Sequence, residues 1–347
     1  MHNYTGAFIV VAVILATLVG NVAALARGDI IIFKKESPGF ENVYILHKEE
    51  GYRADLLWSG SPGVSVFDVD HLRNRIYLTG GSDEVDYLDL NTGEYSEAES
   101  GLIPEGFKIT SVAKNGAYFV LTKPCWGDLY VEENPLFAKP FGITVYKPNM
   151  LFKYDIEKGE VLRLTFSHSQ KECWVSDDGQ VIAYERWTGE AGMADIRHTI
   201  IVCRSDGTGK YDLYRYLYEG GLALNEYYGR LNFALKKTAI EGGEPVYWAL
   251  IDPNVYPKEG LSGLINYFSV ALTYEADELK CLVSKASIIV PPDVSVTDII
   301  GAYSTPEELF LLGVRNNRDL YLLRYDLKNN ILKEIPNSNG LVDFLVY

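Results

Sequence analysis

The chain has 347 residues, of which 47% are hydrophobic and 23% are charged, and its formal net charge at pH 7 is −15. The apolar fraction is that of a globular protein and excludes a disordered chain. The excess of acidic residues argues against a nucleic-acid partner, because phosphate recognition requires a basic surface. The His and Cys residues show no CxxC or HxxxH spacing, so no metal site and no cofactor is predicted.

The chain begins with an apolar segment, because residues 7–26 carry no charge. Secretory signal peptides have such a core before a small-x-small site, which is present here as Ala24-Leu25-Ala26. An uncleaved membrane anchor and a pilin-type signal cut after Gly6 are the alternatives. Residues 1–26 are therefore predicted to be a signal peptide or an N-terminal membrane or assembly helix. The body, 27–347, is expected to be secreted or at the cell surface, with the membrane contacted only through this segment. The scarcity of Gln and Met favours a thermophilic source.

Two short patterns recur after residue 28, and neither has a helical period. The first is a β-branched or aromatic run that enters a turn, as at 87–94, 152–160 and 323–330. The second is a strand, an Asp-Asp-Gly turn and another strand, best seen at 174–184 (WVSDDGQVIAY). Together they give four strands in a repeat of about 45 residues, which predicts β-propeller blades.

Segment 174–184 resembles the repeat of TolB-type propellers, and segment 67–94 resembles the YVTN-type repeat of surface-layer propellers. This resemblance implies an all-β propeller fold and a role in binding, but no particular activity.

The blades are predicted at 64–98, 108–166, 172–218, 222–266, 268–298 and 299–336, with one more formed by both chain ends. In that blade, three N-terminal strands are completed by the C-terminal segment 341–347 as the innermost strand, which removes a free sheet edge. The prediction is a single all-β domain of seven four-stranded blades. Six blades are the alternative, because Pro291-Pro292 fall where the thin 268–298 blade needs a strand.

Two long insertions, 123–149 and 188–197, fall between the second and third strands of neighbouring blades. Because the strands of a blade alternate in direction, both loops are expected on one face and close to each other. Long loops commonly carry function, although a lid that only caps the channel is the alternative. The candidate binding residues are the aromatic residues in and beside these loops: Trp126, Tyr130, Phe137, Phe141, Tyr146 and Trp187.

The sequence contains no G-x-S-x-G elbow, G-x-G-x-x-G pattern or P-loop, so no catalytic residue is predicted and a non-enzymatic role is favoured. The favoured function is an extracellular or cell-surface interaction module that binds a protein or glycan partner, or assembles into an array or filament. One alternative is a secreted enzyme that acts on glycans or lactones with channel carboxylates. Another is an envelope accessory protein, which the TolB-type resemblance implies.

Export to an oxidising compartment permits disulfides. Cys125 follows the second strand of one blade and Cys173 begins the first strand of the next, so the two are expected on one face and are predicted to form a bond. Cys203 and Cys281 fall inside strands and are predicted to be buried free thiols. Four free thiols and other pairings are the alternatives.

Overall fold

The computed structural model describes residues 25–347 with gaps. The gaps are 27, 38–39, 61–63, 81–84, 97–101, 125–148, 167–168, 189–196, 214–235, 239–245, 252–262, 276–277, 301–307 and 316–318. The predicted N-terminal helix lies almost wholly outside the described residues. Within the described ranges, no helix is long and apolar enough to cross a membrane.

The described residues form six four-stranded antiparallel sheets. Sheet 1 contains Ile30–Ser37 (β1), Phe40–His47 (β2) and Arg53–Gly60 (β3), with Leu341–Val346 (β24) inside β1. Sheet 2 contains Val64–Asp70 (β4), Arg75–Gly80 (β5), Val85–Asp89 (β6) and Tyr95–Ser96 (β7). Sheet 3 contains Lys108–Val112 (β8), Tyr118–Pro124 (β9), Asn149–Asp155 (β10) and Glu160–Arg163 (β11).

The remaining sheets follow in chain order. Sheet 4 contains Ser169–Val175 (β12), Val181–Thr188 (β13), Arg197–Arg204 (β14) and Tyr211–Asp212 (β15). Sheet 5 contains Lys236–Thr238 (β16), Val246–Ile251 (β17), Gly263–Glu275 (β18) and Glu278–Val290 (β19). Sheet 6 contains Val296–Ile300 (β20), Glu308–Arg315 (β21), Asp319–Asp326 (β22) and Ile331–Glu334 (β23).

Strands such as β9 and β13 are buried on both faces, which explains why they are rich in β-branched and aromatic residues. In β13, for example, Ile182 and Tyr184 pack against sheet 3, whereas Val181 and Ala183 pack against sheet 5. Each sheet shares a hydrophobic core with the next one along the chain, and a last core joins sheet 6 to sheet 1. The sheets therefore form a closed ring, which is the arrangement of a β-propeller.

The two ends of the chain close this ring. β24 pairs antiparallel with β1, so that Ile30 lies opposite Val346 and Ile32 lies opposite Phe344. The prediction that the C-terminal strand completes the first blade is confirmed.

The predicted number of seven blades is wrong for the described residues. The segments assigned to separate blades, 222–266 and 268–298, contribute to one sheet, because β18 crosses the supposed boundary and pairs with both β17 and β19. Pro291 and Pro292 follow β19 and end it, so they do not interrupt a strand. A long β18–β19 hairpin thus takes the place of two short blades.

Candidate functional site

One face of the ring is formed by the turns between first and second strands and between third and fourth strands; we call it the turn face. The first turns of sheets 2, 3 and 4 are joined to one another by hydrogen bonds. The Asn115 side-chain amide donates to the Asp178 carbonyl at 2.8 Å, and the Tyr118 hydroxyl donates to the Gly179 carbonyl at 2.8 Å. The Arg73 guanidinium likewise donates to the Gly116 carbonyl at 2.7 Å. These turns fasten one sheet to the next.

The opposite face carries the connections between second and third strands and between sheets; we call it the long-loop face. Because the first turns of sheets 3 and 4 touch on the turn face, their second strands, β9 and β13, both end on the long-loop face. The segments 125–148 and 189–196 therefore leave from the same face of neighbouring sheets, as expected from the sequence. The segments themselves lie outside the described residues.

The predicted aromatic site residues are mostly in these segments. Five lie outside the described residues: Trp126, Tyr130, Phe137, Phe141 and Tyr146. The backbone of Trp187 lies in β13 opposite Ser169 and His198, one residue before the strand ends on the long-loop face. Its side chain is also outside the described part of the chain, so the grouping of these residues into one site remains a prediction.

The predicted disulfide is not present, because Cys173 is a free thiol. β12 begins at Ser169, so Cys173 lies within the strand and not at the base of the long loop, and it packs into a core that also contains Cys203. Burial raises the pKa of Cys173 well above its usual range. Cys125 lies outside the described residues. Cys203 is a buried free thiol as predicted, while Cys281 is free but only partly buried.

A cluster of His47 with two aspartates on the turn face was not predicted from the sequence. His47 and Asp29 are almost fully buried, and their Nδ1 and Oδ2 atoms are 3.1 Å apart. Asp29 also accepts hydrogen bonds from the backbone amides of Ala26 and Lys48, each at 2.9 Å. On the other side of the imidazole, Nε2 is 3.3 Å from Oδ2 of Asp55. A hydrogen bond from Arg53 lowers the pKa of Asp55.

This cluster has a structural role. Its members lie just before β1, at the end of β2 and in β3, so they join the entry of the chain to the closing sheet. The only indication of this cluster in the sequence is a histidine at the end of the apolar run 43–47. A histidine at that position is indistinguishable in sequence from an ordinary turn residue.

The long-loop face has a cavity between sheets 5 and 6. It has a volume of about 490 Å³ and is walled by the connection from β19 to β20, by the end of β21 and by parts of β22 and β23. Its lining combines apolar side chains, among them Val314 and Leu323, with polar and charged ones. Arg315, Glu334 and Asp293 stand at its rim, and Arg315 is ion-paired with Glu334.

Among the described residues, no group of three or more His, Cys, Asp or Glu side chains has an arrangement suited to a metal ion.

No protein-family model matches the chain, and no curated protein matches it in sequence. Several solved structures are similar in fold. TolB from Acinetobacter baumannii is 12% identical with a TM-score of 0.51, over 97% of this chain and 70% of that protein. A TolB-type protein from Agrobacterium tumefaciens is 9% identical with a TM-score of 0.47, over 89% and 88% of the two chains. An oligogalacturonate lyase from Vibrio parahaemolyticus is 13% identical with a TM-score of 0.40, over 89% and 86%.

At these identities the similarity concerns the fold alone. It agrees with the ring of sheets. The chain has a TolB-like β-propeller fold.

Proposed function

We propose that this protein is an extracytoplasmic β-propeller of six blades that binds a protein or glycan partner through its long-loop face. The observation that carries the proposal is the difference between the two faces. On the turn face, the first turns of sheets 2, 3 and 4 are short and are hydrogen-bonded to their neighbours, as between Asn115 and Asp178. The long connections, with their aromatic residues, leave from the opposite face, where a rigid ring would present them to a partner.

The proposed location is outside the cytoplasm, in the envelope, at the cell surface or in the medium. The uncharged segment 7–26 supports export. The TolB-like fold agrees with an envelope role, and the high acidic content favours a partner other than nucleic acid.

The test compares variants of the two faces. The full-length protein, expressed and exported in its source cells, is purified and sedimented with an envelope fraction of the same cells. A triple variant on the long-loop face, Trp126→Ala, Tyr130→Ala and Phe141→Ala, is compared with Leu72→Ala, which removes an exposed apolar side chain from the turn face. We expect bound protein to fall about tenfold for the triple variant only, since aromatic residues dominate binding energy.

Circular dichroism of both variants checks that the fold is retained. Equal binding by the triple variant and the wild type would contradict the proposal, and so would an equal loss in the Leu72→Ala protein.

The enzymatic alternative is tested on the same preparation. Incubation with oligogalacturonides or sugar lactones, with and without a divalent metal, would reveal turnover by release of product. Turnover that survives the triple variant would favour an active site away from the long loops.

A further inference from the structure

We propose that Asn339 is a site of spontaneous covalent modification, at which the folded chain converts its own asparagine to aspartate and isoaspartate. Asparagine is a chemically labile residue, and a following glycine has no side chain to hinder attack by its nitrogen. The chain contains two such pairs, Asn115-Gly116 and Asn339-Gly340. Their glycines have φ angles of +69° and +71°, so the two turns differ in their contacts and not in the glycine conformation.

The reaction is a cyclisation followed by hydrolysis. The backbone nitrogen of Gly340 attacks Cγ of Asn339, so that a C–N bond forms and the bond from Cγ to Nδ2 breaks. The proton of the Gly340 N–H group passes to a base, and Nδ2 gains a proton and leaves as ammonia. Water then opens the cyclic imide at either carbonyl, which gives aspartate or isoaspartate without a change of oxidation state. A fast reaction therefore requires an asparagine side chain that can turn and a base at the glycine N–H group.

Asn115 meets neither requirement. Its side-chain amide donates to the Asp178 carbonyl at 2.8 Å, and its Oδ1 atom accepts from the Ala117 amide at 3.1 Å. Both polar atoms of this side chain are therefore held by other groups. The Gly116 amide donates to the Ala113 carbonyl at 2.7 Å, and a neutral carbonyl is a much weaker base than a carboxylate. We expect the folded chain to protect this asparagine.

Asn339 meets both requirements. Its side chain is exposed and makes no hydrogen bond within the described part of the chain, so it is free to turn toward Gly340. The Gly340 amide donates to Oδ1 of Asp319 at 2.9 Å, which places a carboxylate within hydrogen-bond reach of the proton that has to leave. The N–H bond lies in the plane of the peptide group, whereas the nitrogen attacks perpendicular to that plane, so the carboxylate does not obstruct the reaction.

The modified residue would lie directly before the strand that closes the ring. Ser338 is fully buried, and its hydroxyl accepts from the Leu322 amide at 2.9 Å and donates to the Ile335 carbonyl at 2.7 Å. Leu341 begins β24 and is 4% exposed. Isoaspartate adds its Cβ atom to the backbone between these two fixed residues. Either product also adds a carboxylate one residue before the amide that binds Asp319, and like charges repel. We expect the modified chain to close the ring less firmly.

The experiment incubates the full-length protein in a mildly alkaline buffer, once folded and once unfolded in urea. Mass spectrometry of proteolytic peptides then quantifies aspartate and isoaspartate at both Asn-Gly pairs over time. In urea, where the contacts are lost, we expect similar rates at the two pairs. In the folded protein, we expect Asn339 to react about tenfold faster than Asn115, because only Asn339 has a free side chain and a positioned base.

The role of the base is tested by substitution. Asp319→Asn keeps an acceptor for the Gly340 amide but removes the carboxylate, and we expect it to slow the reaction at Asn339 about tenfold, less than a fully optimised base contributes. Asp326→Asn is the matched control at the other end of β22. It removes a carboxylate that also accepts backbone amides, and it should leave the rate at Asn339 unchanged.

The effect on ring closure is measured on the incubated samples. We expect the midpoint of thermal unfolding to fall with incubation time in the wild type and to stay constant in Asn339→Ala. Equal rates at Asn339 and Asn115 in the folded protein would overturn the inference, and so would an unchanged rate in Asp319→Asn. An equal slowing in Asp326→Asn would count against it as well, because the effect would then depend on net charge and not on position. A rate difference in urea as large as in the folded protein would assign the contrast to the local sequence and also overturn it.

Discussion

Phe344 in the last strand lies opposite Ile32 in the first strand, and both pack into the core shared by sheets 6 and 1. Val342 lies in the same strand but is 53% exposed. Truncation of the buried ring leaves a cavity, so we expect Phe344→Ala to lower the free energy of unfolding by about 3–5 kcal/mol. Val342→Ala should change it by less than about 0.5 kcal/mol. Urea unfolding of the two variants measures the difference, and equal stability would show that the last strand does not hold the ring.

Two glycines with similar backbone angles make a matched pair. Gly179 has φ +71° and Gly51 has φ +68°. A Cβ atom at Gly179 would lie 2.6 Å from the Asn115 amide nitrogen, which holds the neighbouring turn, whereas no atom lies within 4 Å of a Cβ at Gly51. We expect Gly51→Ala to cost about 1 kcal/mol, from the left-handed backbone alone. Gly179→Ala should cost about 2 kcal/mol more because of the clash. Thermal unfolding of both variants measures the two losses. Equal midpoints would show that the contact between position 179 and Asn115 does not affect stability.

The two carboxylates around His47 are expected to contribute unequally to the free energy of unfolding. Asp29 is 1% exposed and accepts two backbone hydrogen bonds as well as facing His47, whereas the Asp55 side chain is 41% exposed. Asp29→Ala leaves buried polar groups without their acceptor, so we expect a loss of about 3 kcal/mol. Asp55→Ala should lose less than about 1 kcal/mol. Urea unfolding of the two variants is the measurement; a larger effect at Asp55 would reverse this assignment.

The buried thiols predict a stability change at alkaline pH. Burial raises the pKa of Cys203 to about 12, while an unfolded thiol ionises near about pH 8.5. Above that pH the unfolded state is stabilised by ionisation and the native state is not. The contribution of Cys203 is therefore complete below about pH 8.5 and is lost as the pH rises toward 12, by about 1.4 kcal/mol per pH unit.

Between about pH 9 and about pH 11, we expect the free energy of unfolding to fall less steeply with pH in Cys203→Ala than in the wild type. The variant is expected to be less stable than the wild type at neutral pH. Urea unfolding at a series of pH values gives both slopes. Parallel slopes would mean that the thiol ionises equally in both states.

Local turn chemistry was predictable from the sequence. The turn at Asp177-Asp178-Gly179 forms as expected because the Asp178 carboxylate accepts hydrogen bonds from the Gln180 amide and the Ser176 hydroxyl. Gly179 then takes the positive φ that other residues avoid. Ring closure was predictable as well, because residues 341–346 have the pattern of a strand and three N-terminal strands lacked a fourth.

Long-range features were not predictable in the same way. β18 and β19 each have 13 residues, far more than a typical strand of five or six. A blade boundary placed from the average repeat length therefore falls inside β18. The position of Cys173 was misjudged because the pairing of β12 with β13 shifts between Gln170 and Cys173. The His47–Asp29 contact joins the end of β2 to a residue just before β1, and no local pattern marks such a pair.

The meeting of the two chain ends has a consequence for how the protein can be held. Gly28 donates to the carbonyl of Tyr347, and Tyr347 donates to the carbonyl of Asp29, each at 2.8 Å. Both ends thus emerge at one point on the turn face. A tether at residue 25, whether a bilayer anchor or an engineered fusion, would orient the ring with that face toward its support. The opposite face, with the cavity and the long loops, would then point into the surrounding medium.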